Sequence, residues 1–158
     1  MGSVIESFLP NWKHARSLTR DYIEAVPEHR WNWTPNPRYA SLDKQFRHMI
    51  CVQGVYVDGL ENGKADFARK HAHYSGPLQR DAILDGLEQI DTRMFAAVDA
   101  IASAGEDDFT IDFYGPRTLG SYLNGFLYHE AIHHGQWSYY ATLGGFETPQ
   151  SWKLNWGL

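Results

Sequence analysis

The chain has little of what marks an exported or membrane-spanning protein. Cys51 is the only cysteine, so no intrachain disulfide can form, which fits a reducing cytosol. No stretch approaches the roughly 18 uncharged apolar residues that a membrane span requires. The opening MGSVIESFLPNWKHAR lacks the charged start and long apolar run of a signal peptide. Charge of one sign is missing as well: 14 basic and 19 acidic residues are interspersed, for a net charge of −5. Phosphate contact needs clustered Lys and Arg, and no such stripe exists. Nucleic acid and membrane are therefore not expected partners, and the expected location is the cytoplasm. Strand material is scarce too, since only Phe109 to Tyr114 (FTIDFY) alternates as an extended segment would.

Helical texture fills most of what remains. A length of 158 residues suits one domain, spanning 1–158, with a single core. The first segment runs from about Ser3 to Ala25, with Val4, Phe8, Trp12, Ala15, Leu18, Tyr22 and Ile23 at three- and four-residue steps. Pro10 sits early in it and leaves a later start, just beyond Leu9, as the alternative. Residues 26–40 carry Pro27, Pro35 and Pro37 and read as a loop, whose Trp31 and Trp33 fold back over an apolar end. Ser41 can cap a second helix carrying Leu42, Phe46, Met49, Val52, Tyr56 and Leu60, ended by Gly63. After a loop, Pro77 suits the first turn of a third helix that stops before Gly105. The last helix spans about Thr118 to Leu143 and stops at Gly144-Gly145. The tail GFETPQSWKLNWGL is too rich in Gly, Pro and Trp to continue it. The expected fold class is all-α, a four-helix bundle with long inter-helix loops.

Two compositional features stand out, 15% aromatic residues and eight histidines. The string His129-Glu130-Ala131-Ile132-His133 puts two imidazoles one turn apart on a helix face, where both can reach one ion. Spacing alone proves little, because eight histidines give roughly 0.4 such pairs by chance. The angle on the helix says more. At about 100° per residue, Leu119, Tyr122, Phe126, Trp137 and Tyr140 define an inward face, with His133 at its centre and His129 on its shoulder. His134 points well off this face, and Glu130 lies on the opposite shoulder. Two inward imidazoles need polar partners. Either a Tyr or carboxylate satisfies each of them, or they share a metal. His48 on the second helix is the natural third ligand, although it sits at the edge of the apolar stripe. His14, His29, His71 and His73 read as surface or loop residues.

HEAIH also matches H-E-x-x-H, the zinc-peptidase pattern in which Glu130 would activate water. The extended form needs Gly and His where this chain has Gln136 and Tyr139. A peptidase also needs an edge strand to hold extended substrate. The chain is not read as a peptidase.

Three strings together resemble the DinB-like (DinB/YfiT-type) metalloenzyme superfamily. WNWTPNPRYASLDKQFRHMI is similar to the family's tryptophan-and-proline loop leading into a helix with a His. HEAIHHGQW is similar to its H-x-x-x-H-R-G-Q string, with His134 where Arg is usual. LGGFETPQSW is similar to its Leu-Gly stop with a Pro and Trp tail. The resemblance implies a DinB/YfiT-like bundle and one divalent transition metal held by His48, His129 and His133, with further positions open. No catalytic residue is assigned, and Glu130 is either incidental or a partner of the ligands. Such a site lowers the pKa of bound water or binds a thiolate, and all-nitrogen ligation suits zinc and nickel. The aromatic loops and tail are expected to roof it. Members of the family include transferases and isomerases that use low-molecular-weight thiols, and others assigned as hydrolases. The expected function is thus metal-dependent thiol transfer or hydrolysis of a small molecule, in a homodimer. The alternative is a non-catalytic, stress-related binding protein whose histidine cluster or metal is structural.

Overall fold

The computed structural model describes residues 3–105 and 109–157. Four long helices dominate: α1 (Val4–Ala25), α2 (Leu42–Asn62), α3 (Arg80–Ala104) and α4 (Leu119–Gly144). A hairpin of β1 (Thr110–Asp112) and β2 (Pro116–Thr118) links α3 to α4, with Ile111 opposite Arg117. A short helix, α5 (Gln150–Trp156), ends the described chain. Helix α1 packs on α3 and α4, and α2 packs on the same two. The consecutive helices α1 and α2 therefore face each other across the bundle. The long loop between them makes that crossing feasible. No helix among the described residues is long and apolar enough to cross a membrane.

Local chemistry explains the boundaries, including those that differ from the sequence expectation. Helix α1 starts at Val4, in line with the run expected from about Ser3 rather than the later start, because Ser3 and Glu6 form a reciprocal capping box. Pro10 is tolerated inside the helix, where the backbone N–H it lacks would have bonded an exposed first-turn carbonyl. Ser41 stands at the N-cap of α2, but its hydroxyl donates to the Asp43 carboxylate instead. Backbone N–H groups of Leu42 and Asp43 donate to the carbonyls of Trp33 and Trp31. The tryptophan loop thus caps α2 with its own backbone. Trp31 is buried against Phe46, as the sequence led us to expect. Pro77 lies outside α3, which begins at Arg80. The carbonyls of Pro77 and Leu78 are taken by the Tyr74 hydroxyl and the Trp31 indole. Gly145, at φ 66°, closes α4 in the left-handed conformation that glycine adopts without strain. The tail does not continue α4, as expected, but forms α5, whose Trp152 is fully buried and donates its indole N–H to the Leu18 carbonyl.

The core is aromatic at one end and polar at its middle. Tyr22 and Trp137 stack at 5.4 Å, and Phe46 meets Trp137 edge-on at 4.9 Å. Deeper in the bundle, Arg16 of α1 is 4% exposed and reaches all three other long helices. Its Nε donates to both oxygens of Asp91 on α3 at 3.0 Å, and Nη1 to Glu130 of α4 at 3.1 Å. Its Nη2 donates to Gln53 of α2 at 2.7 Å. Thr19 and the Gln53 amide also donate to the Glu130 carboxylate. The single hydroxyl proton of Thr19 goes to Glu130, so His134 Nε2, 2.7 Å away, donates to that hydroxyl. The Trp12 indole completes the set with a 3.1 Å bond to Asp91. Full burial pushes the Glu130 carboxyl above the usual range, while Arg16, Thr19 and Gln53 pull it back.

Breaking such a cluster strands a buried charge. Arg16→Met is expected to destabilise the fold by about 3–5 kcal/mol in urea denaturation. A loss below about 1 kcal/mol would mean that the guanidinium is not what ties the helices together.

Candidate metal centre

Pinning Glu130 between α1 and α2 sets the rotation of α4, and with it the direction of the neighbouring histidines. At about 100° per residue, His129 and His133 project to one side of Glu130, and His134 to the other. Buried residues of α4 then span an arc of about 120°, wider than the sequence suggested. Glu130 is fully buried and His134 is 2% exposed. The expectation that His134 points away, with Glu130 on a shoulder, is therefore corrected. Helix α4 is covered on this flank by α1 and α5, and the His134 ring lies 5.1 Å from Trp152. His134 sits in the α1 network, away from the other histidines of α4.

On the opposite flank, α2 brings His48 to His129 and His133. One ligand atom from each of the three lies within 4.8 Å of the other two. Ring centroids are 5.6 Å apart for His48 and His129, 5.2 Å for His48 and His133, and 4.7 Å for His129 and His133. His133 is buried, His129 half-buried, and His48 the most exposed. Aromatic rings wall the inner side, with Tyr56 at 6.2 Å from His129 and Trp137 at 5.7 Å from His133. Nδ1 of both His129 and His133 is buried without a hydrogen-bond partner. Leaving two buried polar nitrogens unpaired is costly, and a shared ion is one way to relieve it. Neither a Tyr nor a carboxylate fills the role that the simple core-pair reading required for those nitrogens.

Burial, followed by the neighbouring imidazoles, holds His129 down to about 3. Burial and His48 hold His133 down to about 4. His48 is lowered by its own burial and by Lys70 and His71. All three rings are thus neutral near pH 7, the form that ligates metal. No fourth His, Cys, Asp or Glu joins the cluster among the described residues.

The outer side opens into a cleft of about 390 Å³ lined by His48, His133, Gln136, Cys51, Lys44, Arg47, Lys70 and His71. Part of its lining comes from the short 3-10 helix Phe67–Ala72, through Lys70 and His71, and Ala40 at the end of the aromatic loop lines it too, whereas no residue of the tail does. The tail is drawn away by the bond between Trp152 and Leu18. His71 is exposed, as are His14 and His29. His73 is more than a loop residue: its ring lies 3.1 Å from the Asp58 carboxylate, with 11% of its side chain exposed. Sequence reasoning missed Arg47 and Lys70. Lys44 and Cys51 could have been found, because they fall one turn before and one turn after His48 on its own face.

Fold and site together define a helical-bundle protein with a three-imidazole cluster open on one side to a cationic cleft. The chain belongs to the DinB superfamily, whose family model matches residues 11–137. It is similar to a DinB-like protein from Bacillus cereus known from a crystal structure at 2.01 Å resolution, at 21% identity and a TM-score of 0.70. The match covers 92% of this chain and 95% of the other, and at this identity it shows a shared fold alone. A search among curated proteins finds no match.

The depressed histidines also predict acid sensitivity. His129, His133 and His134 titrate at about 3 to 4 when folded and near 6.5 when unfolded. The unfolded chain therefore binds more protons below pH 6.5, and stability falls as pH drops from 6.5 toward 4. Urea midpoints of metal-free protein at pH 7.5, 6 and 5 are expected to fall in that order. A flat profile would contradict neutral burial of these rings.

Proposed function

We propose that this protein is a metal-dependent enzyme acting on a small molecule, with one zinc or nickel ion held by His48, His129 and His133. The observation that carries the proposal is the convergence of three neutral imidazoles on one point, with two buried nitrogens unpaired and one side open to a cleft. Such an ion, once bound, supplies Lewis acidity and activates a bound water or thiol. The reaction type we favour is thiol transfer or hydrolysis. The chain's own residues position the ion and shape its surroundings. Tyr56, Phe126 and Trp137 exclude water from the inner side, and the α1 network fixes the angle of α4.

A structural metal would call for a fourth protein ligand. Glu130 is the nearest sequence candidate, but its oxygens are occupied by Arg16, Thr19 and Gln53. This favours the open, catalytic type of site. Metal analysis of purified protein should find about one equivalent of zinc or nickel, reduced in His129→Ala and His133→Ala. The metal-free protein should remain folded and be stabilised by about 3 kcal/mol at a metal concentration 100 times Kd. Absence of bound metal, together with no effect of either substitution on stability, would remove the proposal.

We further propose that two copies pair through the exposed face of α4. Tyr128, Ile132, Tyr139 and Leu143 are 60% or more exposed and fall on one stripe. Glu130 is the only Asp, Glu, Lys or Arg in α4, and it is buried. Copies with a net charge of −5 repel one another, so an uncharged apolar face is where they can approach at least cost. Analytical ultracentrifugation should give a dimer for the natural chain and a monomer for Ile132→Glu/Tyr139→Glu. A monomeric natural chain would refute the pairing.

A further inference from the structure

Five of the 14 Lys and Arg residues, Arg16, Arg20, Arg80, Arg93 and Lys153, have a carboxylate within 4.0 Å. The cleft beside the histidine cluster gathers three of the others at one place. Lys44, Arg47 and Lys70 all line it, no Asp or Glu does, and none of the three forms an ion pair among the described residues. The chain has five more acidic than basic residues, so this segregation is not a by-product of composition. Arg47 and Lys70 are also half-buried, which makes their lack of a counter-charge more costly than it would be on an open surface.

We infer that the substrate is an anionic small molecule whose carboxylate or phosphate group is held by Arg47 and Lys70 against the open side of the three-histidine cluster. The inference rests on the proposed function, since it names the substrate class of that site. Arg47 is one residue before His48 on α2, and Lys70 is on the 3-10 helix that lines part of the cleft, so the two cations come from separate walls. Burial pushes the Cys51 thiol up, and Arg47 and Lys70, whose positive charge reaches the cleft, oppose that push. Three neutral imidazoles offset none of an ion's charge, so metal binding makes the cleft more positive still. The concave shape and the volume of about 390 Å³ suit a small molecule. A nucleic-acid backbone would need an extended basic stripe instead.

Calorimetric titration with succinate and with its uncharged analogue succinamide tests this, on both zinc-loaded and metal-free protein. Succinate should bind more tightly than succinamide in both forms. Arg47→Gln and Lys70→Gln should each weaken succinate about tenfold, with metal stoichiometry and thermal midpoint unchanged. Lys64→Gln, outside the cleft, should have no effect. Equal binding of the two probes, or unchanged succinate affinity in both cleft variants, would overturn the inference. If the protein takes up no zinc, the metal reading fails on its own. The response of metal-free protein to Arg47→Gln and Lys70→Gln then still decides whether the cleft holds an anion.

Discussion

A guanidinium with almost no access to water joins all four long helices of this protein. Arg16 satisfies Asp91, Glu130 and Gln53 at once, with Trp12 stacked on its plane at 4.7 Å. A buried charge tolerates little displacement of its partners, because each lost contact leaves an unpaired group at low dielectric. The constraint passes along α4 by simple helix geometry. With Glu130 fixed, His129 and His133 cannot rotate away from α2, and His48 meets them there. The polar network and the histidine cluster are separate sites that share one rotational setting.

The separation has a chemical consequence. In the zinc-peptidase pattern, the Glu of H-E-x-x-H faces the ion as a base. Here the corresponding carboxylate is 0% exposed and bonded to Arg16, Thr19 and Gln53 on the opposite flank. The string HEAIH therefore carries two functions on two sides of one helix. His129 and His133 face His48, with His133 lining the cleft, and Glu130 holds the bundle. What surrounds the open side is cationic instead, with Lys44, Arg47 and Lys70 lining the cleft.

Much of the fold was legible because apolar spacing and glycine stops are local signals. The four long helices, the extended segment at β1 and the return of Trp31 over the core all follow from them, whereas the second strand of the hairpin does not. What local signals left out was set by tertiary contact. Burial of Trp152 on α1 goes with a separate helix in the tail, and Pro77 stays outside α3 where the carbonyls of Pro77 and Leu78 are taken by Tyr74 and Trp31. For the site, the meeting of His48, His129 and His133 was anticipated from helix angle together with the family-like order of motifs. Glu130 and His134 were misjudged because an apolar-only face underestimates how wide a buried arc becomes when helices flank it on both sides. Arg16, Gln53 and Asp91 were invisible for a related reason: a charged or amide side chain on a helix reads as solvated until its partners from other helices are known.

X-ray absorption at the zinc edge of loaded protein tests the central claim most directly. The account predicts a first shell of three imidazole rings completed by light atoms, with no sulfur, and loss of that imidazole pattern in His133→Ala. A sulfur scatterer from Cys51, or an ion without imidazole neighbours, would contradict it.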